Sequence, residues 1–259
     1  MTEKKASALD LITTGIVYSP PRVLLYSEEG VGKSTFAAGA PSPIFIQTED
    51  GLDAIASPKF PLAKTFDDVM SYLLTLANDD HNYETVVVDT LDQVQILMSD
   101  KLCLEHGVES VDQIAGGWGK WKAPAIKQWR DLLDALGYLR SHRKMAIVLL
   151  AHAEVQPFAD PELPPYDRWV PRLHKHAVEL VCDWCDAVLF AHCRFRVAAA
   201  DTGFGKKRVT AHAVGKAGGD RIIRPVGGPA CVAKNRYGLT KEIPLDWDAF
   251  ASAMAGGEA

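Results

Sequence analysis

Residues 27–35 read Ser-Glu-Glu-Gly-Val-Gly-Lys-Ser-Thr, directly after the apolar run Arg22-Val23-Leu24-Leu25-Tyr26. A small-residue segment, Thr35-Phe36-Ala37-Ala38-Gly39-Ala40, follows and reads as a helix. Strand, glycine-bearing turn, Lys-Ser and helix is the context that a phosphate-binding loop requires. The backbone N–H groups of such a loop form a concave anion site, and the helix N-terminus adds partial positive charge. Glu29, Gly30, Val31, Gly32, Lys33, Ser34 and Thr35 are therefore the candidate nucleotide cradle. Lys33 would reach the β- and γ-phosphates, and the Ser34 hydroxyl would ligate Mg²⁺. The pattern asks for glycine six residues before Lys33, where this chain has Ser27, which restricts φ more. Glu28 and Glu29 would oppose a polyphosphate unless both point outward. The simpler alternative is a glycine-rich turn with a surface lysine; the flanking strand and helix argue against it.

Working outward, Pro20-Pro21 introduces a strand over 22–26, and 43–48 reads as a second strand. Residues 66–78 carry helical apolar spacing, 83–89 is a buried-type strand ending in an acid, and 91–105 is a helix. A glycine-rich loop over 106–123 leads into an amphipathic helix over 125–142 and an apolar strand over 145–151. Strands alternating with helices give an α/β fold with a doubly wound, mostly parallel sheet. Ligands bind such sheets beyond the C-terminal strand ends. After residue 186 the pattern changes: 187–197 and 208–214 read as strands around the turn 201–205, a C-terminal antiparallel extension. A short strand over 230–233 and a helix over 247–254 close the chain. The expected division is an N-terminal segment 1–19 for protomer contact, a core 20–245, and a helix and tail 246–259.

The chain has 259 residues, 47% of them hydrophobic, which suits one sizeable α/β domain. It has no apolar stretch of about 18 residues, so no membrane span is expected. The start, Met1-Thr2-Glu3-Lys4-Lys5, has no apolar segment behind it, so no secretory signal is expected. Five cysteines read as reduced thiols of a cytoplasmic protein. The net charge of −5 argues against a generic basic nucleic-acid binder but leaves room for local basic loops.

Several side chains carry candidate chemistry. Asp89 ends a valine strand, where a carboxylate can hold the Mg²⁺ shell beside the loop; a turn or helix cap is the alternative. Glu49, expected on a strand next to the loop strand, can deprotonate an attacking water; Asp50 is its competitor, and either could cap a following helix. His152, after strand 145–151, suits a γ-phosphate sensor, since imidazole donates or accepts. Trp118, Lys120, Trp121 and Lys122 combine stacking rings with cations, as do Arg168, Trp169 and Arg172 in an expected loop 153–172. Those aromatics could equally pack on the domain or on a neighbouring subunit. Cys182 and Cys185 have a zinc-like spacing, but a helical i,i+3 pair without a second cysteine pair reads as buried thiols.

In order along the chain, these residues resemble the RecA superfamily core. Phe45-Ile46-Gln47-Thr48-Glu49-Asp50-Gly51-Leu52-Asp53 looks like the RecA segment that carries the water-activating glutamate. Ile147-Val148-Leu149-Leu150-Ala151-His152 resembles the strand ending in the γ-phosphate-sensing glutamine, with histidine here. Lys234-Asn235-Arg236-Tyr237-Gly238 is similar to the Lys-Asn-Arg-Phe-Gly motif of RadA, in the region whose cations reach the neighbouring subunit's nucleotide. Over roughly residues 20–240 the chain is similar to compact phage RecA-like recombinases, the RecA-like members of the Sak single-strand annealing proteins. That resemblance implies ATP and Mg²⁺ as cofactors and an ATPase that binds single-stranded DNA as a homo-oligomeric ring or filament. Within it, Glu49, Lys33, His152, Lys234 and Arg236 are the catalytic set, Ser34 and Asp89 serve the metal, and loops 106–123 and 153–172 meet DNA. A single-strand-binding protein is a further candidate partner, and the bacterial host cytoplasm the expected location. The alternatives are a RadA- or DnaB-like DNA motor, a P-loop phosphotransferase unrelated to DNA, and a binding module that assembles on DNA without turnover.

Overall fold

Alternation of side chains along five strands with apolar cores sets the architecture. These are β1 (Arg22–Ser27), β2 (Pro43–Gln47), β3 (Thr85–Asp89), β4 (Ala146–Phe158) and β6 (Ala187–Cys193). Leu24, Tyr26, Ile46, Val88, Leu149 and Val188 face one hydrophobic core; Val23, Leu25, Phe45, Val87, Leu150 and Leu189 face the other. Both faces are covered, so these strands read as nearly continuous apolar runs. The structure, a computed structural model, describes residues 12, 14–15, 19–117, 119–201, 207–213, 215 and 219–256.

The helices are α1 (Lys33–Ala38), α2 (Phe66–Asn78), α3 (Leu91–His106), α4 (Lys122–His142), α5 (Lys175–Trp184) and α6 (Trp247–Met254). Helices α2 to α5 lay Leu73, Leu97, Leu136 and Val181 on one core, while α1 and α6 bring Phe36 and Phe250 to the other. Thr65 starts α2 with a capping box: its side chain accepts from Asp68 N at 3.1 Å, and Asp68 accepts from Thr65 N at 2.9 Å. Phe36, Trp247 and Phe250 form an aromatic cluster with ring centroids 5.3–5.9 Å apart. Fully burying Phe250 alone is worth about 2–3 kcal/mol. The cluster closes because Gly39 has no side chain: a Cβ there would sit 3.0 Å from Trp247 Cβ.

The sheet runs β11-β9-β6-β1-β4-β3-β2, where β9 is Arg221–Arg224 and β11 is Ile243–Pro244. The central pairs β6/β1, β1/β4, β4/β3 and β3/β2 are parallel; β6/β9 and β9/β11 are antiparallel. This is the doubly wound, mostly parallel sheet with a C-terminal antiparallel extension that the sequence implied. The strand carrying Glu49 is not beside the loop strand, however. β4 and β3 lie between β1 and β2, because crossover connections separate strands that follow each other in sequence.

Four local expectations are corrected. Segment 153–172 is not a loop: β4 continues to Phe158 and pairs with β5 (Tyr166–Pro171) as an antiparallel hairpin. Its prolines suggested irregular chain, but a two-stranded ribbon tolerates proline, as at Pro157. His152 therefore lies inside a long strand, at the level where β1 ends opposite it at Ser27. Segment 106–123 contains a short 3₁₀ helix, Val111–Gly116, and its last two residues belong to the start of α4. The strand expected over 187–197 breaks at Arg194 into β6 and β7 (Phe195–Asp201), which pairs with β8 (Lys207–Ala213); most of the turn 201–205 lies outside the described residues. Near 230–233 the only strand is β10 (Lys234–Asn235), set against the start of β6.

Candidate functional site

The loop between β1 and α1 turns at Gly30 and Gly32, with φ of 73° and 112°. Such values exclude most other residues. Ser27 needs no such freedom, since it is the last residue of β1, paired on both sides with His152 and Ala191. Its Oγ donates to Glu28 O at 2.7 Å and lies 3.5 Å from Lys33 Nζ, which also donates to Glu28 O at 3.3 Å. Burial pushes the Lys33 ammonium below its ordinary value, with nearby Asp89 opposing. An anion at this ammonium would oppose that shift by favouring the charged form.

Ser34 Oγ donates to Asp89 Oδ2 at 2.6 Å. Asp89 is buried, has no ion pair among the described residues, and burial raises its carboxyl above the ordinary range despite Ser34. Thr90, which makes no side-chain cap hydrogen bond, holds the N-cap position of α3, so Asp89 stands before the cap. Thr90 Oγ1 donates to Glu49 Oε1 at 2.8 Å, and Thr90 N donates to Thr48 Oγ1 at 2.8 Å. The ends of β2 and β3 are thereby tied together, which brings Glu49 to the site from the edge of the sheet. No helix starts after Asp50, which is exposed and stands outside the cavity that Glu49 lines.

His152 is held by Asp92, in the first turn of α3. Its backbone N donates to Asp92 Oδ1 at 2.9 Å and its Nδ1 lies 2.8 Å from Asp92 Oδ2. Arg172, just past β5, donates from Nη2 to Asp92 Oδ2 at 2.9 Å, and its backbone N donates to His152 O at 2.8 Å. Burial pushes the Asp92 carboxyl up, but the His152 and Arg172 hydrogen bonds outweigh it and hold the group well below the carboxylate range. An ionised Asp92 accepts from Nδ1–H and leaves Nε2 as the other ring nitrogen. Glu49 Oε1 lies 3.9 Å from Nδ1.

Lys33, Ser34, Glu49, Asp89 and His152 line one cavity of about 430 Å³, with Glu29, Gly30, Gly32, Thr35 and Arg221. Of the two loop glutamates only Glu29 reaches it. Val31 turns its side chain into the core and can offer only backbone. The lining carries Glu29, Glu49 and Asp89 against Lys33 and Arg221. Polyphosphate alone would meet a surplus of carboxylates, so this donor set fits a triphosphate accompanied by a divalent cation. Mg²⁺ would fall to Ser34 and Asp89.

Other predicted residues lie elsewhere. Lys234 and Arg236 sit at the opposite end of the sheet from the loop, against the start of β6. Lys234 Nζ donates to Asp183 O at 3.2 Å, and Arg236 pairs with Asp186 at 3.1 Å. Trp118 lies outside the described residues. Trp121 packs on His174 at 4.9 Å between ring centroids, and Lys122 is exposed at the start of α4. Lys120 lies beside them and engages partners of its own. Arg168 lies 3.7 Å over the Phe158 ring, and Trp169 stacks on Phe190 at 5.8 Å. The hairpin root is fixed by Tyr26 Oη, which donates its one proton to Val232 O at 2.6 Å, with Trp169 O at 3.2 Å as the more distant acceptor. Cys182 and Cys185 form no metal cluster among the described residues, and burial raises both thiols.

Sequence reasoning missed Asp92, Thr90 and Arg221. Asp92 looks like an ordinary acid in a helix's first turn, where the macrodipole favours it anyway. Arg221 reaches the cavity only through the pairing of β9 with β6.

A family model described as an AAA domain (AAA_24) matches residues 19–237. Over 135 residues the chain is 22% identical to the SPbeta prophage-derived uncharacterized protein YorG of Bacillus subtilis (strain 168). That match covers 51% of this chain and 40% of the prophage protein, so the chain spans less than half of that relative. The crystal structure of the RadB recombinase aligns with a TM-score of 0.39 at 13% identity, over 75% of this chain and 87% of that one.

Proposed function

The chain belongs to the AAA domain family, a P-loop NTPase by its loop and cavity, and from that premise we propose an ATP-dependent, single-stranded DNA-binding recombinase or annealing protein of phage origin. The observation that carries this reading is the continuous linkage from the cavity to the β4–β5 hairpin: Glu49 beside His152, His152 on Asp92, and Asp92 on Arg172 at the hairpin's end.

Lys33 holds the β- and γ-phosphates. Ser34 and Asp89 would hold Mg²⁺, which would neutralise phosphate charge. Glu49, oriented by Thr90, takes a proton from the attacking water. His152 presents Nε2 toward the γ-phosphate, and loss of that phosphate is felt at Arg172 through Asp92. The hairpin then changes its grip on a strand, with Arg168 and Trp169 on the hairpin, Lys120, Trp121 and Lys122 at the start of α4, and Trp118 as further contacts. Lys234 and Arg236 act on the nucleotide of an adjacent protomer. A cation serving a neighbour has to lie away from its own loop, and these two do. Arg236 is 57% exposed, and Asp186 keeps Arg22 at 2.7 Å and Arg140 at 3.4 Å when Arg236 leaves. A head-to-tail contact of this kind builds a ring or a filament. Residues 1–19 belong to that contact, and a single-strand-binding protein is a further partner.

The test is ATP turnover with Mg²⁺, with and without single-stranded DNA, against Lys33→Ala. DNA-stimulated hydrolysis lost in the variant is expected. Turnover that ignores DNA but transfers phosphate to a small acceptor would establish a phosphotransferase instead.

A further inference from the structure

Arg221 opens β9 and leans over the phosphate loop: its Nη1 lies 3.0 Å from where a Cβ on Gly32 would stand. Any side chain at Gly32 would have to displace it. The neighbouring arginines on this edge are already engaged, since Arg194 and Arg224 share Glu242 at 2.7 and 2.9 Å. Arg221 has no hydrogen-bond acceptor and no ion pair for its guanidinium among the described residues, although it lines the same cavity as Lys33. A guanidinium beside a positive-φ glycine, with no carboxylate of its own, is suited to bidentate binding of a phosphate.

Its side of the cavity indicates which phosphate. Asp89 and Glu49 come from β3 and β2, reached from β1 across β4; Arg221 comes from β9, reached across β6 in the other direction. Metal and attacking water belong to the first side. Resting on the ATP reading above, we propose that Arg221, acting within its own chain, binds the non-transferred phosphates of the nucleotide. It is therefore a determinant of affinity for ADP and ATP alike, distinct from the neighbour-serving Lys234 and Arg236.

Calorimetric titration of the full chain with ADP·Mg²⁺ and with a non-hydrolysable ATP analogue tests this, using wild type, Arg221→Ala and Arg221→Lys. Loss of hydrogen bonds to a charged group predicts that Arg221→Ala weakens both ligands by about tenfold to a hundredfold, with partial recovery in Arg221→Lys. In turnover assays KM should rise by a larger factor than kcat falls. ADP affinity equal in wild type and Arg221→Ala overturns the proposal, as does a fall in kcat with ADP affinity unmoved, which would move Arg221 to the γ-phosphate. Thermal melting without nucleotide guards against misfolding, because the Arg221 guanidinium has no hydrogen bond or ion pair among the described residues to lose. A wild-type chain that binds neither nucleotide would sink the ATP reading itself, an outcome distinct from failure of Arg221 alone.

Discussion

Replacing Asp92 by asparagine keeps the shape of the side chain and removes the charge on which three donors converge. His152 N, His152 Nδ1 and Arg172 Nη2 lie 2.8–2.9 Å from its oxygens. Asparagine can still accept from the His152 amide. The hydrogen bonds to the ring and to Arg172 lose their charge assistance, each worth about 1.5–3 kcal/mol. Two effects offset this: a buried carboxylate no longer has to be desolvated, and Arg172, with 45% of its side chain exposed, can turn to water. The net cost is about 2–3 kcal/mol, a drop in Tm of about 4–10 °C for a chain of this size. The sign with pH follows from the carboxyl being held below its unfolded value of about 3.9. The stabilisation is fully present above that value and is lost as pH falls through the lower folded value. The gap between wild type and variant should therefore be open at pH 8 and narrow only below about pH 4. Urea unfolding at pH 8, in a double-mutant cycle with Arg172→Ala, measures the coupling directly. About 1–2 kcal/mol is expected. Additivity within about 0.5 kcal/mol would show that Asp92 and Arg172 do not act as a unit, and the link to the hairpin would go with it.

Glu49→Gln should bind ATP yet hydrolyse it at least about a hundredfold more slowly; unchanged turnover would move the base elsewhere. Mixing Lys33→Ala with Lys234→Ala protomers should restore part of the ATPase, since cations supplied in trans are worth about 10³–10⁵ in rate in related chemistry; no rescue with assembly intact would place those cations outside the reaction. Trp118→Ala with Trp121→Ala should weaken single-strand binding in a fluorescence titration by about 1–3 kcal/mol per lost stack. Unaltered affinity with a lowered Tm would make Trp121 a packing residue on His174.

What could be read from the sequence was what is encoded locally. The loop around Lys33 announces itself through glycine placement and its flanking elements, and α2 through the helical spacing of its apolar residues. Asp89 and Glu49 could be nominated because each lies at or near the end of a sheet strand, and His152 because it follows the apolar run 145–151, although β4 continues past it. What stayed hidden depends on pairing between distant segments. Nothing near Arg221 marks it until β9 docks on β6. Asp92 becomes a hub only when His152 and Arg172 arrive from 60 and 80 residues away. The hairpin after His152 was obscured because its proline content mimics irregular chain, while its pairing includes a bridge from Trp169 to Cys231 far along the chain.

The account turns on nucleotide state setting the grip on a single strand, and fluorescence anisotropy of a labelled single-stranded oligonucleotide measures that directly. With a non-hydrolysable ATP analogue and Mg²⁺, wild type should bind at least about fivefold tighter than with ADP, within the usual span of coupling between sites, and Lys33→Ala should lose the difference. Equal affinity in both nucleotide states, with nucleotide shown to be bound, would contradict the coupling of the cavity to the hairpin.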